Sequence, residues 1–257
     1  MIPAERMKEI TELLYEKKNV SIKEISEKIY ASPSTIRRDL IYLEKAGVLR
    51  RTRGGATLVS LNTSEFSSYV RSQENIEKKQ KIVKIAFKFV QDDLSMYMDS
   101  SSTVHLLCDY LFRFKNLIII TNSILIPNRL INHDDIHVFC SGGVLKPHSH
   151  SLIGDMSHEF LANYTPDLCF LSCKAINEEG IFEADFQQTN AKRTMIENAN
   201  KVILLVDSTK FHKNAFINIS SLEHIDYIVT DKKPSEFEKY PDEYKAKFIW
   251  DENYPIQ

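Results

Sequence analysis

Residues 32–56, with the sequence SPSTIRRDLIYLEKAGVLRRTRGGA, decide the N-terminal fold of this 257-residue chain. Ser32 is a favoured N-cap residue, and Pro33 suits the first helical position because its missing N–H would be unpaired there in any case. Apolar residues then follow at helical spacing, namely Ile36, Leu40 and Leu43. Gly47 is a helix-stop signal. The stretch therefore predicts a helix that begins at Pro33, followed by a short strand, a glycine turn and a return strand.

Two more helices are predicted upstream of this stretch. The first covers about residues 4–17, where apolar side chains recur at the spacing of one helix face: Met7, Ile10, Leu13 and Leu14. The second begins at Ser21, which forms the sequence of a capping box with Glu24. Three helices followed by an arginine-rich hairpin are typical of a winged helix-turn-helix domain, which we predict over residues 1–58.

Basic and hydroxyl side chains lie off the apolar face of the third predicted helix and on the hairpin. A recognition helix presents its N-terminal residues to base edges in the major groove, and the planar fork of arginine fits guanine or phosphate. We therefore predict DNA contacts from eight residues: Ser32, Ser34, Thr35, Arg37, Arg38, Arg50, Arg51 and Arg53. The alternative interpretation is that these arginines form only a solvated face.

The distribution of charge supports a division of the chain into two parts. The formal net charge is only −2, from 33 Lys and Arg against 35 Asp and Glu. Residues 1–60, however, hold 12 basic and 8 acidic side chains and carry +4, so the remainder carries −6. A basic first domain favours an anionic polymer as its partner, and an acidic second domain would repel that polymer.

The second domain is predicted to be an α/β effector-binding and oligomerisation domain over residues 74–257, after a serine-rich linker at residues 59–73. It opens with a helix over about residues 74–91. Short apolar runs then alternate with segments of helix length, and we predict strands at residues 94–98, 117–121, 136–140, 168–171, 202–206 and 227–230. Continuous apolar strands separated by helices are typical of a Rossmann-like, mostly parallel sheet that is covered on both faces.

Polar residues follow three of these strands, at the edge where open parallel sheets bind ligands. A hydroxyl-rich helix N-terminus offers N–H groups and side-chain donors to an anion, although each such group alone is more often a helix cap. Lysines elsewhere in the domain can add positive charge. The sequence therefore predicts a site for a small phosphorylated ligand, formed by Asp99, Ser100, Ser101, Ser102, Thr103, Thr121, Asn122, Ser123, Gly142, Gly143, Lys146, Lys192 and Lys210.

The cysteines favour a reduced, cytosolic protein. They lie in or beside apolar runs without a Cys-x-x-Cys pair, at Cys108, Cys140, Cys169 and Cys173. A metal site at Cys169 and Cys173 with His158 is the alternative, but the usual zinc spacings are missing. The apolar runs are too short to span a membrane, and the N-terminus has no apolar leader. We therefore predict no metal, no cofactor and no membrane association.

The motifs of both domains resemble those of the DeoR family of bacterial transcriptional regulators. In the first domain, the resemblance lies in Ser34-Thr35-Ile36-Arg37-Arg38-Asp39-Leu40, Leu43-Glu44, Gly47, Leu49, Arg51 and Gly54-Gly55-Ala56. In the second, it lies in Asp99–Thr103, Thr121–Ser123, Gly142-Gly143, Lys192-Arg193 and Asp207–Phe211. That family's sensor domain is related to sugar-phosphate isomerases. The resemblance implies a repressor of a sugar-utilisation operon that is released by a phosphorylated sugar.

Three functions remain open on the sequence alone. The first is such a repressor, a homo-oligomer (dimer or tetramer) that binds double-stranded operator DNA. The second is a DNA-binding regulator whose second domain only oligomerises, since Ser101 and Gln188 depart from the residues common in the family. The third is an isomerase-like enzyme, which needs a positioned general base. Asp99 is the only carboxylate in the strand-end groups, so we predict no catalytic residues and no enzyme activity; other carboxylates fall in a predicted loop, at Glu179, Glu183 and Asp185.

Overall fold

The computed structural model describes residues 3–45, 47–58 and 68–251. The chain divides into two compact units, Met1–Glu74 and Asn75–Gln257, which we call the head and the body. Most of the predicted 59–73 linker, residues 59–67, lies outside the described residues. Its remaining residues form a short helix.

The head contains the predicted helices and a small sheet. Its helices are α1 (Pro3–Lys17), α2 (Ile22–Ile29), α3 (Pro33–Lys45) and α4 (Ser68–Gln73). Its strands are β1 (Asn19–Ser21), β2 (Leu49–Arg51) and β3 (Gly55–Leu58). The central strand β3 pairs antiparallel with both β1 and β2, and the β2–β3 hairpin is the wing. The sequence predicted the hairpin but not β1, because three residues between two helices are too few to show an alternating pattern.

Local side-chain chemistry explains where α2 begins and how β1 joins the sheet. The Ser21 hydroxyl accepts the Glu24 N–H at 3.2 Å, and the Glu24 carboxylate accepts the Ser21 N–H at 2.9 Å. This reciprocal pair confirms the predicted capping box. Gly55 lies opposite Ser21 in β3, and a Cβ atom there would stand 2.0 Å from the carbonyl oxygen of Val20. Only glycine allows this close approach of the two strands.

The helices of the head bury one apolar cluster. The three predicted core positions of α3 are almost fully buried: Ile36, Leu40 and Leu43. They pack in a cluster with Ile10 and Leu14 of α1 and Ile25 of α2. The apolar spacing read from the sequence therefore sets which side of α3 faces inward, and the opposite side is left for solvent or a partner.

The body alternates strands and helices along the chain. Its strands are β4 (Ser95–Met98), β5 (Leu117–Thr121), β6 (Ile136–Cys140), β7 (Val144–Lys146), β8 (Ser151–Ile153), β9 (Leu168–Leu171), β10 (Ala175–Asn177), β11 (Gly180–Glu183), β12 (Val202–Leu205), β13 (Ile217–Ser220), β14 (Tyr227–Val229) and β15 (Phe248–Ile249). Its helices are α5 (Ile76–Ala86), α6 (Ser102–Leu111), α7 (Leu125–Leu130), α8 (Asp155–Ala162), α9 (Phe186–Asn198) and α10 (Asp242–Lys245).

A parallel sheet forms the centre of the body. Within the described residues it has seven strands in the order β15-β14-β12-β9-β4-β5-β6, and all neighbours run parallel. All six predicted strands are present in it. Strand β15 was not predicted because it is only two residues long. The predicted 74–91 helix is shorter than expected, since α5 ends at Ala86 and a 3₁₀ turn follows.

Two small antiparallel sheets accompany the parallel one. Strands β10, β11 and β13 form the first, in that order, and the hairpin β7–β8 forms the second. Both lie in segments that the sequence analysis left without strands.

Alternating side chains build a separate core on each face of the parallel sheet. In β4, Met96 and Met98 belong to a cluster with α5, α6 and α7, whereas Tyr97 belongs to a cluster with α8 and α9. A strand whose two faces contact two different cores needs apolar side chains on both faces, which is the pattern of a sheet covered on both sides. The carboxyl ends of the strands are consequently the positions at which polar residues can gather.

Candidate DNA-binding face and effector site

The start of α3 is held by hydroxyl groups. The Ser32 Oγ accepts the Thr35 N–H at 3.3 Å, and it lies 2.9 Å from the Ser34 hydroxyl and 3.0 Å from that of Thr35. Ser32 is thus the N-cap, as predicted. Ser34 is exposed in the first turn.

Arg37 and Arg38 project from the exposed face of α3. Neither forms an ion pair with any other residue that the structure describes. Their guanidinium groups therefore retain their full donor capacity for an external anion or base edge.

The acidic residue that follows these arginines has an internal partner. Asp39 is 6% exposed, and its carboxylate binds the Arg6 guanidinium of α1 through contacts of 2.5 and 3.0 Å. The hydrogen bond to Asp39 also raises the pKa of Arg6. Asp39 therefore joins α3 to α1, and its charge is neutralised within the head. Arg6 was missed from the sequence because its partner lies 33 positions away.

The wing arginines differ from one another. Arg50 and Arg53 are exposed and form no ion pair within the described part of the chain. Arg51 instead binds Glu44 of α3, with its Nε 2.6 Å from the carboxylate and its backbone N–H 2.8 Å from the other carboxylate oxygen. These hydrogen bonds lower the pKa of Glu44, and the bond from the backbone N–H has the largest effect. Arg51 thus anchors the wing, and its DNA contact stays a prediction.

In the body, a buried ion pair lies at the carboxyl end of β4. Asp99 follows that strand, and its carboxylate forms a short ion pair with the Nζ of Lys192 from α9. The same Nζ donates to the Ser172 carbonyl at 2.8 Å and lies 3.7 Å from Glu183. Burial acts to lower the pKa of Lys192, but the two carboxylates outweigh it and leave the pKa raised.

The serine loop after β4 is ordered by its own hydrogen bonds. The Asp99 carboxylate accepts the Ser101 N–H at 3.0 Å, and the Ser101 hydroxyl caps α6 by accepting the Val104 N–H at 3.4 Å. Ser100 donates to the Gln188 side-chain oxygen at 3.2 Å. Thr103, in the first turn, is 1% exposed. The N-terminus of α6 therefore points to the same strand ends as Asp99 and Lys192.

Lys210 and Asp207 come from the loop after β12. The Lys210 Nζ donates to the Cys173 carbonyl at 2.8 Å and to the Ser172 hydroxyl at 3.3 Å, so it lies next to the Lys192 pair. Its distance to the Asp207 carboxylate is 3.9 Å. Burial acts to raise the pKa of Asp207, but Lys210 and the hydrogen bonds from Thr209 hold it below its ordinary value.

A lysine that the sequence analysis missed completes this group. Lys79 of α5 is 3% exposed, its Nζ donates to the Ser102 hydroxyl at 3.0 Å, and its charge also lowers the pKa of Asp207. Lys79 lies three residues before Ile82, on the apolar face of the helix. A lysine at a helical position that is otherwise apolar is the sequence signal that could have marked it as a site residue. We call the following set the strand-end cluster: Lys79, Asp99, Glu183, Lys192, Asp207 and Lys210.

The polar residues at the carboxyl end of β5 are turned inward. Thr121 donates to the Met98 carbonyl at 2.6 Å, and the Ser123 hydroxyl accepts the Leu125 N–H at 3.2 Å. The Asn122 amide nitrogen donates to the Leu152 carbonyl of β8 at 3.3 Å. The exposed fraction of each of the three side chains is 2% or less. Asn122 thus joins the β7–β8 hairpin to this strand end, and contact of the three side chains with a ligand stays a prediction.

The remaining predicted effector residues belong to the same hairpin. Gly143 has φ +117°, and a Cβ atom there would stand 2.5 Å from the Ile153 carbonyl oxygen, while Gly142 is exposed. Lys146 lies 2.5 Å from the Asp185 carboxylate, which caps α9 by accepting the Gln188 N–H. The structure therefore places these three predicted residues with the hairpin and not in the strand-end cluster.

Gln188 connects the two groups, and its surroundings correct the predicted loop. Its side chain accepts from Ser100 and donates to Ser151 of β8 at 2.6 Å. The loop expected to hold Glu183 and Asp185 is instead strand β11 followed by the N-cap of α9. The expectation was wrong because β11 pairs with β10 and β13, which the local sequence does not reveal.

The described residues contain neither a membrane-spanning helix nor a metal site. No helix there is long and apolar enough to cross a membrane. No group of three or more His, Cys, Asp or Glu side chains in the same part of the chain could hold a metal ion. Cys169 and Cys173 are free, buried thiols, and His158 is bonded to the Thr194 hydroxyl at 2.6 Å.

A winged helix-turn-helix with an exposed basic face, followed by a Rossmann-like α/β domain, defines a DNA-binding transcriptional regulator of the two-domain class. Family models match both parts: the DeoR-like helix-turn-helix domain at residues 6–62 and the DeoR C-terminal sensor domain at residues 74–232. The chain belongs to the DeoR family of transcriptional regulators, which confirms the resemblance seen in its motifs.

Relatives align along nearly the whole chain. The HTH-type transcriptional regulator GolR of Listeria innocua is 32% identical over 245 residues, which cover 94% of this chain and 96% of that protein. The glycerol-3-phosphate regulon repressor of Escherichia coli K12 is 30% identical and covers 91% and 93%. Among solved structures, ribose 5-phosphate isomerase A of Methanocaldococcus jannaschii matches with a TM-score of 0.40 and 19% identity, over 54% of this chain and 55% of that one.

Proposed function

We propose that this protein is a sequence-specific repressor of a sugar-utilisation operon, which binds double-stranded operator DNA through its head and is released when a phosphorylated sugar binds its body. One similar protein is a glycerol-3-phosphate regulon repressor, and this name supports both halves of the proposal. The chain and that relative align over more than nine-tenths of their lengths.

The exposed pair of arginines on α3 is the observation that carries DNA binding. Arg37 and Arg38 lie one turn after the capped start of the helix, without an ion pair to another described residue. The nearby acid, Asp39, is neutralised by Arg6. The outer face of α3 therefore keeps a positive charge that the head does not use for its own stability, as a major-groove reader needs.

The strand-end cluster supports binding of an anionic sugar in the body. The charges of its three lysines and three carboxylates cancel, so the cluster carries no excess positive charge. A phosphate group would therefore bind by replacing existing partners of the lysines. Lys79 and Lys210 donate to neutral hydroxyl or carbonyl groups, which a phosphate could replace. The first turn of α6 adds N–H groups and a favourable helix dipole. Ser101 caps this helix, so its departure from the residue common in the family is compatible with the site.

The same geometry supports a sensor without catalysis. An isomerase needs a carboxylate that is available to take a proton from its substrate. Asp99 is held by Lys192 and by the N–H groups of Ser101 and Ser172. Gln188 carries an uncharged amide that binds Ser100 and Ser151. We therefore propose that the body binds its ligand without turning it over.

A homo-oligomer, either a dimer or a tetramer, completes the proposal. Winged-helix and helix-turn-helix regulators commonly bind two half-sites with two copies of the same head. Light scattering coupled to size-exclusion chromatography would then give a mass of at least twice 29.7 kDa for the free protein. A monomer at all concentrations would contradict this part of the proposal.

Operator binding is tested with the full-length protein and duplexes that it selects from a random pool. We expect Arg37→Ala and Arg38→Ala each to lower affinity at least about fivefold, the loss of about 1–3 kcal/mol expected for one arginine–base contact. Arg113→Ala is the matched control, since this exposed arginine lies in the body and contacts Phe87. Unchanged affinity in both α3 variants, with their circular dichroism intact, would contradict the assignment of α3 as the DNA reader.

Effector binding is tested by a thermal-shift panel of sugar phosphates and glycerol phosphates. A ligand at about 100 times its dissociation constant stabilises the folded protein by about 2.7 kcal/mol, which gives a clear rise in melting temperature. The same compound should release the selected duplex. If no compound shifts the melting temperature, the alternative of a body that only oligomerises is favoured.

A further inference from the structure

The exposed face of α3 carries one apolar side chain among its polar ones. With 3.6 residues per turn, the middle of this face is formed by Ser34, Ile41 and Lys45, and Arg37 and Arg38 flank it on the two sides. All five side chains are exposed, and the buried Leu40 and Leu43 lie on the opposite side. Ile41 therefore lies on the side of α3 that would face the major groove, about one turn beyond Arg37.

Ile41 does not contribute to the core of the head. Its side chain is 37% exposed, and it is absent from the cluster that Ile36, Leu40 and Leu43 form with α1 and α2. A single exposed isoleucine on an ordinary surface needs no explanation. Ile41, however, lies on the α3 face that Arg37 and Arg38 flank, and in the proposed complex this face contacts DNA. Its partner there would be a group in the major groove.

The major groove offers one apolar group, the C5 methyl of thymine. An isoleucine side chain cannot hydrogen-bond to a base edge, so this methyl group is the feature it can recognise. Its β-branched side chain has few rotamers, so little conformational entropy is lost when it is held against a base. Tyr42 lies at the edge of the face, beyond Arg38, and is less well placed.

We infer that Ile41 reads a thymine methyl group in the operator and is a specificity-determining residue of this protein. The inference rests on the proposed function, in which α3 enters the major groove. Ile41 lies four residues after Arg37, about 6 Å along the helix axis, which corresponds to about two base pairs of duplex. The recognised thymine therefore lies within about two base pairs of the position contacted by Arg37.

The test replaces single thymines of a selected duplex by deoxyuridine, which removes the methyl group and keeps base pairing and the O4 acceptor. For the wild-type protein, one such replacement should lower affinity about fourfold, as expected when one methyl group loses an apolar contact. Ile41→Ala should bind the unmodified duplex more weakly and should be insensitive to that same replacement. This loss of sensitivity is the double-mutant coupling that a direct contact produces.

Ile118→Ala is the matched control. Ile118 is also 37% exposed but lies on β5 in the body, so this variant should keep the full sensitivity to deoxyuridine. The inference is overturned if no thymine replacement affects the wild-type protein, or if Ile41→Ala keeps the wild-type sensitivity. Failure of the pool selection to enrich any sequence would instead contradict the proposed function, so the two failures can be told apart.

Discussion

Arg51 in the wing and Glu44 near the end of α3 form an ion pair of 2.6 Å, and the Glu44 carboxylate also accepts the Arg51 backbone N–H at 2.8 Å. Both side chains are partly exposed, so the pair itself contributes only about 0.2–1 kcal/mol to stability. Its larger effect is geometric, because it sets the direction of the wing relative to the recognition helix.

The first prediction follows from this anchor. Glu44→Ala should weaken operator binding about two- to fivefold, because the wing loses its fixed direction. Removing a negative charge near DNA would by itself strengthen binding. Weaker binding therefore indicates loss of the wing anchor, and tighter binding indicates only the loss of a repulsive charge. Fluorescence anisotropy with a selected duplex measures it, and Glu27→Ala on the exposed side of α2 is the control. Tighter binding by Glu44→Ala would contradict a role as anchor.

A second prediction separates the wing arginines by their salt dependence. Arg50 and Arg53 are exposed, so replacing either with alanine should reduce the slope of log affinity against log salt by about 0.9 if it contacts one phosphate. Arg51→Ala should resemble Glu44→Ala and change the slope less. Affinities measured between about 50 and 200 mM salt distinguish these outcomes. Equal slope changes for all three arginines would place Arg51 on the DNA as well.

A third prediction concerns the buried pair of Lys192 and Asp99. Lys192→Met removes the cation that is paired with the buried Asp99 and Glu183 and should cost about 3–5 kcal/mol of unfolding free energy. Asp99→Asn should cost less, since Lys192 keeps Glu183 at 3.7 Å. Urea unfolding can be followed by the fluorescence of Trp250, the only tryptophan, which packs against the core of the body.

Lys115→Met is the control for that experiment because Lys115 is exposed in the body. The loss of unfolding free energy in the Lys192→Met, Asp99→Asn double variant should be smaller than the sum of the losses in the two single variants, as for any directly coupled pair. Additive effects, or a Lys192→Met protein as stable as the wild type, would show that the pair is not a structural element of the site.

A fourth prediction tests Lys79 as a ligand-binding residue. Lys79→Met should abolish the melting-temperature rise caused by the effector while retaining operator binding, because it removes a cation beside Ser102 and Asp207. Lys81→Met and Lys84→Met are matched controls on the exposed side of the same helix. An unchanged thermal shift in a folded Lys79→Met protein would exclude Lys79 from the site.

A fifth prediction uses the buried thiols. Burial raises the pKa of Cys108 and of Cys173 from 9.0 to about 12, so neither forms a reactive thiolate at pH 8.5 in the folded protein. Alkylation followed by peptide mass spectrometry should label the half-buried Cys140 first. Rapid labelling of Cys173 in the native protein would contradict its burial.

The same shifts give stability a pH dependence. Unfolded thiols ionise near pH 9, whereas the folded ones hold their protons to about pH 12, so the unfolded state binds fewer protons between these values. Their contribution to stability is complete below pH 9 and is lost as the pH rises toward 12. The stability difference between wild type and Cys108→Ala should therefore shrink from pH 8.5 to pH 10.5 in urea unfolding.

Much of the architecture could be predicted because its signals are local. The helix starts at Ser21 and Ser32 follow from side-chain capping within three residues, and the six predicted strands of the parallel sheet follow from continuous apolar runs. Strands such as β1 and β11 were missed because their formation depends on partners elsewhere in the chain.

The sequence by itself determined the two-domain organisation, the buried side of α3 and the residues that stand at the strand ends, since these depend on periodicity and on capping. Only the tertiary structure decided which charges are available. Asp39 is neutralised by Arg6, Arg51 by Glu44, and Lys192 by Asp99, a residue 93 positions away. Such pairs form by long-range packing and leave no periodic trace. The physical reason is that periodicity records which side of an element is buried, whereas charge pairing depends on what the fold brings next to it.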